Sequence, residues 1–132
     1  MKNKMMLVVV AAAVMWGLTV SAHHSFGGTY KLDEQVRIEG KMLRVLLRNP
    51  HSYIHVEGSK AGEPAEEWAI EWGGAAQLAK SGVTRDRLRV GDPVVVVGNP
   101  SRTPGEPKMR LVYFERMSDG WTWGKRPGEV VE

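Results

Sequence analysis

Alternation of apolar and polar residues dominates the chain after residue 30, and such alternation is typical of β-strands with one buried face. Five segments alternate or are continuously apolar, and they predict strands at 36–47, 52–57, 67–72, 93–97 and 109–117. In the first segment the apolar phase changes beside Gly40, which predicts a bulge that bends one long strand. Residues 75–80 favour a short helix, which Ser81-Gly82 would close.

The order of these elements predicts a mainly β fold. Three strands, a short helix and two further strands, with a long bent first strand, fit a small five-stranded barrel of the OB type. A β-sandwich is the alternative, but the helix between strands three and four and the bent first strand favour the barrel. We place this domain at residues 23–117 and expect the C-terminal tail, 118–132, to fray because glycine, proline and charged residues follow its two tryptophans.

The first 22 residues have the pattern of a secretory signal peptide. Lys2 and Lys4 precede an almost unbroken apolar run, and Val20-Ser21-Ala22 places small or short side chains at the positions that a signal peptidase reads. Cleavage there would make His23 the mature N-terminus of a periplasmic or secreted protein. No second apolar run reaches about 18 residues, so we expect no membrane span after processing.

Composition narrows the chemistry that the mature domain can perform. The chain has no cysteine, which excludes disulfides, thiol catalysis and thiolate metal ligands. The formal net charge of +3 includes Lys2 and Lys4, so the processed protein is close to neutral and nucleic acid is not an expected partner. Any metal site must therefore use histidine, carboxylate, methionine or backbone atoms.

The four histidines of the chain lie in two places. His23 and His24 would form the mature N-terminus, and His51 and His55 flank the second predicted strand. Alternate positions of a strand share a face, so both strand histidines lie opposite the apolar side of that strand. Imidazole and a terminal amine suit Cu(II), zinc and nickel, and the combination favours copper.

These histidines have two interpretations. If residues 25–30 fold back over the second strand, His23 or His24 could bind copper together with His51 and His55. In the other interpretation, the terminus frays, His51 belongs to the turn at Asn49-Pro50, and His55 is an exposed strand residue.

Other residues suggest weaker candidates. Glu67 and Glu71 share one face of the third strand. They could act as a general acid/base pair or orient metal ligands, or they could simply form a solvated surface. An aromatic set could bind a sugar or peptide, although some of it should fill the barrel: Trp68, Trp72, Trp121, Trp123, Tyr113 and Phe114. No nucleophile elbow, phosphate loop, dinucleotide fingerprint or His-Glu-Xaa-Xaa-His motif is present. A small copper oxidase is a third possibility, but so small a mature domain has little surface to shape a substrate site, and a non-enzymatic role is favoured.

Taken together, several short motifs resemble a family of small exported bacterial proteins of unknown function. They are His23-His24-Ser25-Phe26, Asn49-Pro50-His51, Trp68-Ala69-Ile70-Glu71, Thr84-Arg85-Asp86 and Val90-Gly91-Asp92. The resemblance covers nearly all of residues 23–117 and implies a periplasmic OB-like β-domain with no established activity. It also implies that His23, His24 and His51 are the histidines to test first, whereas His55 depends on strand geometry alone.

Two functions follow from the sequence. The first is a small periplasmic binding protein that holds a transition metal, copper above all, through the N-terminal histidines and the pair on the second strand. The alternative is a metal-independent module that binds a peptide, a glycan or a partner protein. The sequence does not identify that protein or small-molecule partner.

Overall fold

A computed structural model gives the structure of residues 25–128. Its elements in chain order are α1 (Ser25–Thr29), β1 (Val36–Leu46), β2 (Ser52–Ser59), β3 (Glu66–Trp72), α2 (Ala75–Lys80), a 3-10 turn (Arg85–Arg87), β4 (Pro93–Pro100), β5 (Lys108–Arg116) and β6 (Trp121–Gly124). Within this part of the chain, no helix has the length and apolar character needed to cross a membrane.

The first five strands close into a barrel. The strands are ordered β3-β2-β1-β4-β5-β6, and β3 also pairs with β5. That closing pair is parallel and joins residues 69–71 to residues 108–110, while the other strand pairs are antiparallel. With α2 between the third and fourth strands, this architecture confirms the predicted OB-like barrel and excludes the sandwich.

The bend in β1 lies two to three residues after the predicted position. Pairing between β1 and β2 is regular through Gly40 and shifts in register between Met42 and Arg44. Gly40 instead marks a close approach of the two strands, because a Cβ at this position would collide with the carbonyl oxygen of Glu57. Glycine is therefore required here for strand packing, and the bulge follows it.

The C-terminal tail contains a strand, which corrects the expectation that it frays. β6 pairs antiparallel with residues 113–116 of β5. The ring of Trp123 packs edge-on against Trp72 at 4.9 Å, and Trp121 packs against Phe114 at 5.8 Å. Burial of these two indoles compensates for the unfavourable composition around them, so the tail is ordered over these residues.

The inner faces of β2 and β3 agree with the sequence pattern. Ile54 and Val56 of β2 and Ile70 of β3 are completely buried, and Trp68 and Trp72 are each 4% exposed. These side chains fill the barrel, so the two inner tryptophans do not form a surface platform. The histidines and glutamates of β2 and β3 lie on the opposite, outer face.

Candidate functional site

The segment before β1 folds back onto the barrel. Tyr30 forms an isolated β-bridge with Ser101, and the Lys31 N–H donates to the Pro100 carbonyl at 2.9 Å. The Tyr30 side chain is almost completely buried, with 1% of the residue exposed. These contacts bring α1 over the end of β3 and the start of β2, as the metal interpretation of the histidines requires.

Glu71 is the centre of a cluster of polar side chains at this place. The Tyr30 hydroxyl donates a short hydrogen bond to Glu71 Oε2, and His51 Nδ1 lies 3.1 Å from Glu71 Oε1. Tyr53 is the direct cross-strand neighbour of Glu71 in the β2–β3 pair. We call Tyr30, His51, Tyr53 and Glu71 the Glu71 cluster. Only 11% of the Glu71 side chain is exposed, so the carboxylate depends on these partners rather than on water.

Both tyrosines of the cluster are held in their protonated form. Burial first, and then the hydrogen bond and charge of Glu71, raise the pKa of Tyr30 far above its ordinary value. Burial and the Glu71 charge raise the pKa of Tyr53 in the same direction. At neutral pH both phenols are therefore protonated, and Tyr30 donates to the largely buried carboxylate.

His51 is placed by the turn that precedes β2. This turn contains a cis peptide bond between Asn49 and Pro50. The Asn49 side-chain oxygen accepts the Ala76 N–H at 3.2 Å, which connects the turn to the first turn of α2. The His51 ring meets the edge of the Phe26 ring, with centroids 5.6 Å apart. Its Nδ1 is buried near Glu71 without the alignment of a full hydrogen bond, while 41% of the side chain remains exposed.

His55 belongs to a second, separate pair. Its Nδ1 lies 2.9 Å from Glu67 Oε1, and Arg44 donates to the same oxygen at 2.8 Å. Arg44, followed by His55, lowers the pKa of Glu67 below its ordinary value. Glu67 is far more open than Glu71, with 49% of its side chain exposed.

The structure brings His51 next to the N-terminal arm but does not bring it together with His55. A rise of about 3.3 Å per strand residue puts their Cα atoms about 13 Å apart, and each imidazole faces its own glutamate. Within residues 25–128, no three His, Asp or Glu side chains are grouped in a way that could hold a metal ion. His23 and His24 lie outside the described residues.

A cavity adjoins the Glu71 cluster. It has a volume of about 350 Å³, and its walls include Phe26, Trp72, Trp123, Glu71 and Arg110. Sequence patterns did not mark Tyr30, Phe26 or Arg110 as site residues, because their contacts join segments far apart in the chain. Tyr30 and Glu71, for example, are separated by 41 positions.

Comparison with known proteins places the chain in a family. The model of DUF6152, described as a family of unknown function, matches residues 9–108, a range that contains α1, the Glu71 cluster and both His–Glu pairs. No curated protein matches the chain. Since the family model covers most of the sequence, the chain belongs to DUF6152, a family of unknown function.

Proposed function

We propose that the protein is exported to the periplasm and there binds one copper ion at its N-terminal arm. His51 and one or both of His23 and His24 would supply the ligands. Support for export comes from residues 1–22, whose charged start, apolar run and Val20-Ser21-Ala22 ending are typical of a cleaved signal peptide. Of the four predicted histidines, His55 contributes least to this site, because strand geometry puts its Cα about 13 Å from that of His51, away from the arm that contacts His51.

The His51–Glu71 pair is the observation that carries the proposal. A histidine that binds a metal commonly holds a carboxylate with its other ring nitrogen, which fixes the tautomer and the direction of the ring. Nδ1 of His51 lies beside the largely buried Glu71, whose position is fixed by Tyr30. A neutral ring arranged in this way offers Nε2 as the metal ligand.

The short chain between Phe26 and the two N-terminal histidines would let either histidine reach His51. The Phe26 ring contacts His51. His24 precedes Phe26 by two residues, so the Cα atoms of His24 and Phe26 are at most about 8 Å apart. Cleavage after Ala22 would place a free amine on His23, which could chelate together with its own imidazole. Amine and imidazole nitrogens form the kind of ligand set that Cu(II) prefers, and binding would release protons.

The proposal can be tested by titrating Cu(II) into protein processed to begin at His23, with electron paramagnetic resonance and a competing chelator. We expect one nitrogen-rich site per chain, and His51→Ala should weaken it by about tenfold or more. Acetylation of the His23 amine should remove this ligand and weaken binding similarly.

His55→Ala is the matched control, because it removes a histidine from the same strand face without touching the arm. Its copper affinity should equal that of the parent protein. Unchanged affinity after His51→Ala combined with removal of His23 and His24 would refute the proposal.

A metal-independent binding role is the second candidate. The cavity beside the Glu71 cluster favours it, because aromatic walls with a few polar groups are typical of sites for small organic molecules.

A further inference from the structure

We infer that this cavity is a binding site for a small aromatic carboxylate, with Arg110 as the group that holds the carboxylate of the ligand. The inference develops the metal-independent role and does not require copper.

The size and walls of the cavity fit a planar apolar molecule. Its volume of about 350 Å³ lies at the lower end of the range of small-molecule sites, roughly 300–1,000 Å³. Trp72 and Trp123 meet edge to face at 4.9 Å and form one aromatic wall, and Phe26 lies on another. Such faces favour stacked or edge-on contact with a ring.

Gly73 keeps part of the cavity open. It lines the cavity, and a Cβ at this position would lie 3.4 Å from Gln77 Oε1 and 3.7 Å from Leu78 Cδ2. These are ordinary contact distances, so alanine fits without a clash but occupies space that glycine leaves to a ligand. Gly73→Ala should therefore reduce the cavity volume without disturbing the fold.

Arg110 gives the cavity its charge preference. The guanidinium carbon lies 4.8 Å from the centroid of the Phe26 ring, and the residue is half-buried. Among residues 25–128, no carboxylate lies within ion-pair distance of Arg110. A half-buried cation without a counterion favours an anionic ligand, and arginine binds a carboxylate through two parallel hydrogen bonds.

Glu71 does not neutralise Arg110, although the two residues are partners in the parallel β3–β5 register. The Glu71 carboxylate instead accepts from Tyr30 and lies beside His51. Within residues 25–128, therefore, the Glu71 carboxylate has polar partners, whereas the only contact given for the Arg110 guanidinium is the Phe26 ring. A short polar glycan would use the aromatic walls less well than a single aromatic acid, and a long peptide would not fit the volume of the cavity.

The test uses metal-free protein in the presence of a chelator, so that a failure of the copper proposal cannot affect the result. The probes are 2-naphthoate and its neutral analogue 2-naphthamide, which share a ring system and differ in charge. Indole N–H signals in a nitrogen-15 NMR spectrum, assigned with tryptophan-to-phenylalanine variants, report the place of binding. We expect 2-naphthoate to shift the signals of Trp72 and Trp123 saturably, to leave that of Trp68 unchanged, and to bind at least about tenfold more tightly than the amide.

Three variants locate the interaction. Arg110→Gln should remove the preference for the acid over the amide, and Gly73→Ala should weaken both probes alike. Arg37→Gln is the control of equal charge, because Arg37 is an exposed residue of β1 that pairs with Glu39; it should preserve the preference.

Equal affinity for acid and amide in the parent protein would overturn the inference. So would shifts confined to Trp68, which lines a different cavity, or the absence of any saturable shift with 2-naphthoate. If Arg110→Gln does not fold, the acid-to-amide ratio of the parent protein and the Gly73→Ala result still decide the outcome.

Discussion

Two histidine–glutamate pairs along β2 and β3 have similar nitrogen–oxygen distances, although only His55 is aligned for a hydrogen bond with its glutamate. His51 Nδ1 is 3.1 Å from Glu71 Oε1, and His55 Nδ1 is 2.9 Å from Glu67 Oε1. Their surroundings differ, because Tyr30 covers and hydrogen-bonds Glu71 whereas Arg44 reaches Glu67 across an open strand surface. The same spacing of residues has therefore produced one enclosed pair and one exposed pair.

The difference shows that the N-terminal arm, rather than the strand pattern, creates the candidate site. Strand register alone places each histidine near a glutamate. Burial beneath α1 and Tyr30 turns one of these pairs into a low-dielectric cluster, where hydrogen bonds are stronger and unpaired groups more costly.

The largest expected effect follows from deleting the two glutamates in turn. Glu71→Ala should destabilise the protein by about 2–3 kcal/mol, because it leaves the buried Tyr30 hydroxyl without its acceptor. Glu67→Ala should cost much less, since its partners can bind water instead. Urea unfolding of both variants gives the comparison, and equal losses of unfolding free energy would show that the enclosure of Glu71 has no energetic consequence.

A smaller loss of unfolding free energy is expected when the hydrogen-bond donors to the two glutamates, Tyr30 and Arg44, are changed instead. Tyr30→Phe keeps the buried ring but removes the hydroxyl, and should lower the unfolding free energy by about 1–2 kcal/mol. Arg44→Gln, the corresponding change at the exposed pair, should stay close to the parent value. Chemical denaturation measures both, and a greater loss from Arg44→Gln would reverse the ranking of the two pairs.

The two tyrosines of the Glu71 cluster should also make the protein less stable at alkaline pH. The folded-state pKa of Tyr30 and Tyr53 lies above the unfolded value of 10.0, so their contribution to stability is complete below pH 10.0 and is lost as the pH rises through the folded-state pKa. Tyrosinate absorbance and unfolding free energy, measured together, should show late ionisation accompanied by unfolding. Tyr30→Phe should flatten this loss, while Arg44→Gln should retain it; identical profiles for the parent and Tyr30→Phe would argue against the assignment.

The smallest effect concerns the exposed pair in acid. The pKa of Glu67 lies below 4.5 in the folded protein, so its stabilising contribution is present above pH 4.5 and is lost as the pH falls through the lowered value. Carbon-13 NMR of the Glu67 carboxyl group should report a midpoint below 4.5. In Arg44→Gln the midpoint should rise towards 4.5, because Arg44 is the main cause of the shift; an unmoved midpoint would leave His55 as the dominant partner.

Local patterns predicted the barrel well. The helix predicted at 75–80 is α2 with the same bounds, and the buried alternation of Ile54, Val56 and Ile70 follows the pattern read from the sequence. These features depend on neighbours within a few residues, which periodicity encodes directly. At residues 121–124 the composition was misleading, because the strand is stabilised by Trp72 and Phe114 from distant segments.

Only part of the candidate site could be predicted, because its other contacts also come from distant segments of the chain. Strand alternation correctly put His55 on the outer face of β2 and Glu67 on that of β3, whereas His51 precedes β2 and Glu71 is covered by Tyr30. Which glutamate is enclosed depends on how residues 31–35 return Tyr30 to the barrel, and no spacing in the sequence specifies that path. Arg110 was likewise hidden, because its importance arises from the counterion that it lacks among the described residues.

The parallel pairing of β3 with β5 is the shortest junction in the barrel, and it spans residues 69–71 and 108–110. The Ala69 N–H reaches the Pro107 carbonyl at 2.9 Å there, and the junction ends at Glu71 and Arg110, both on the cavity wall. A molecule that binds only when this β3–β5 pairing is closed raises the free energy of local opening, and the increase grows with ligand concentration relative to Kd. Slower hydrogen exchange at the Ala69 amide would then report how much of the cavity is occupied, and the ligand would need no label.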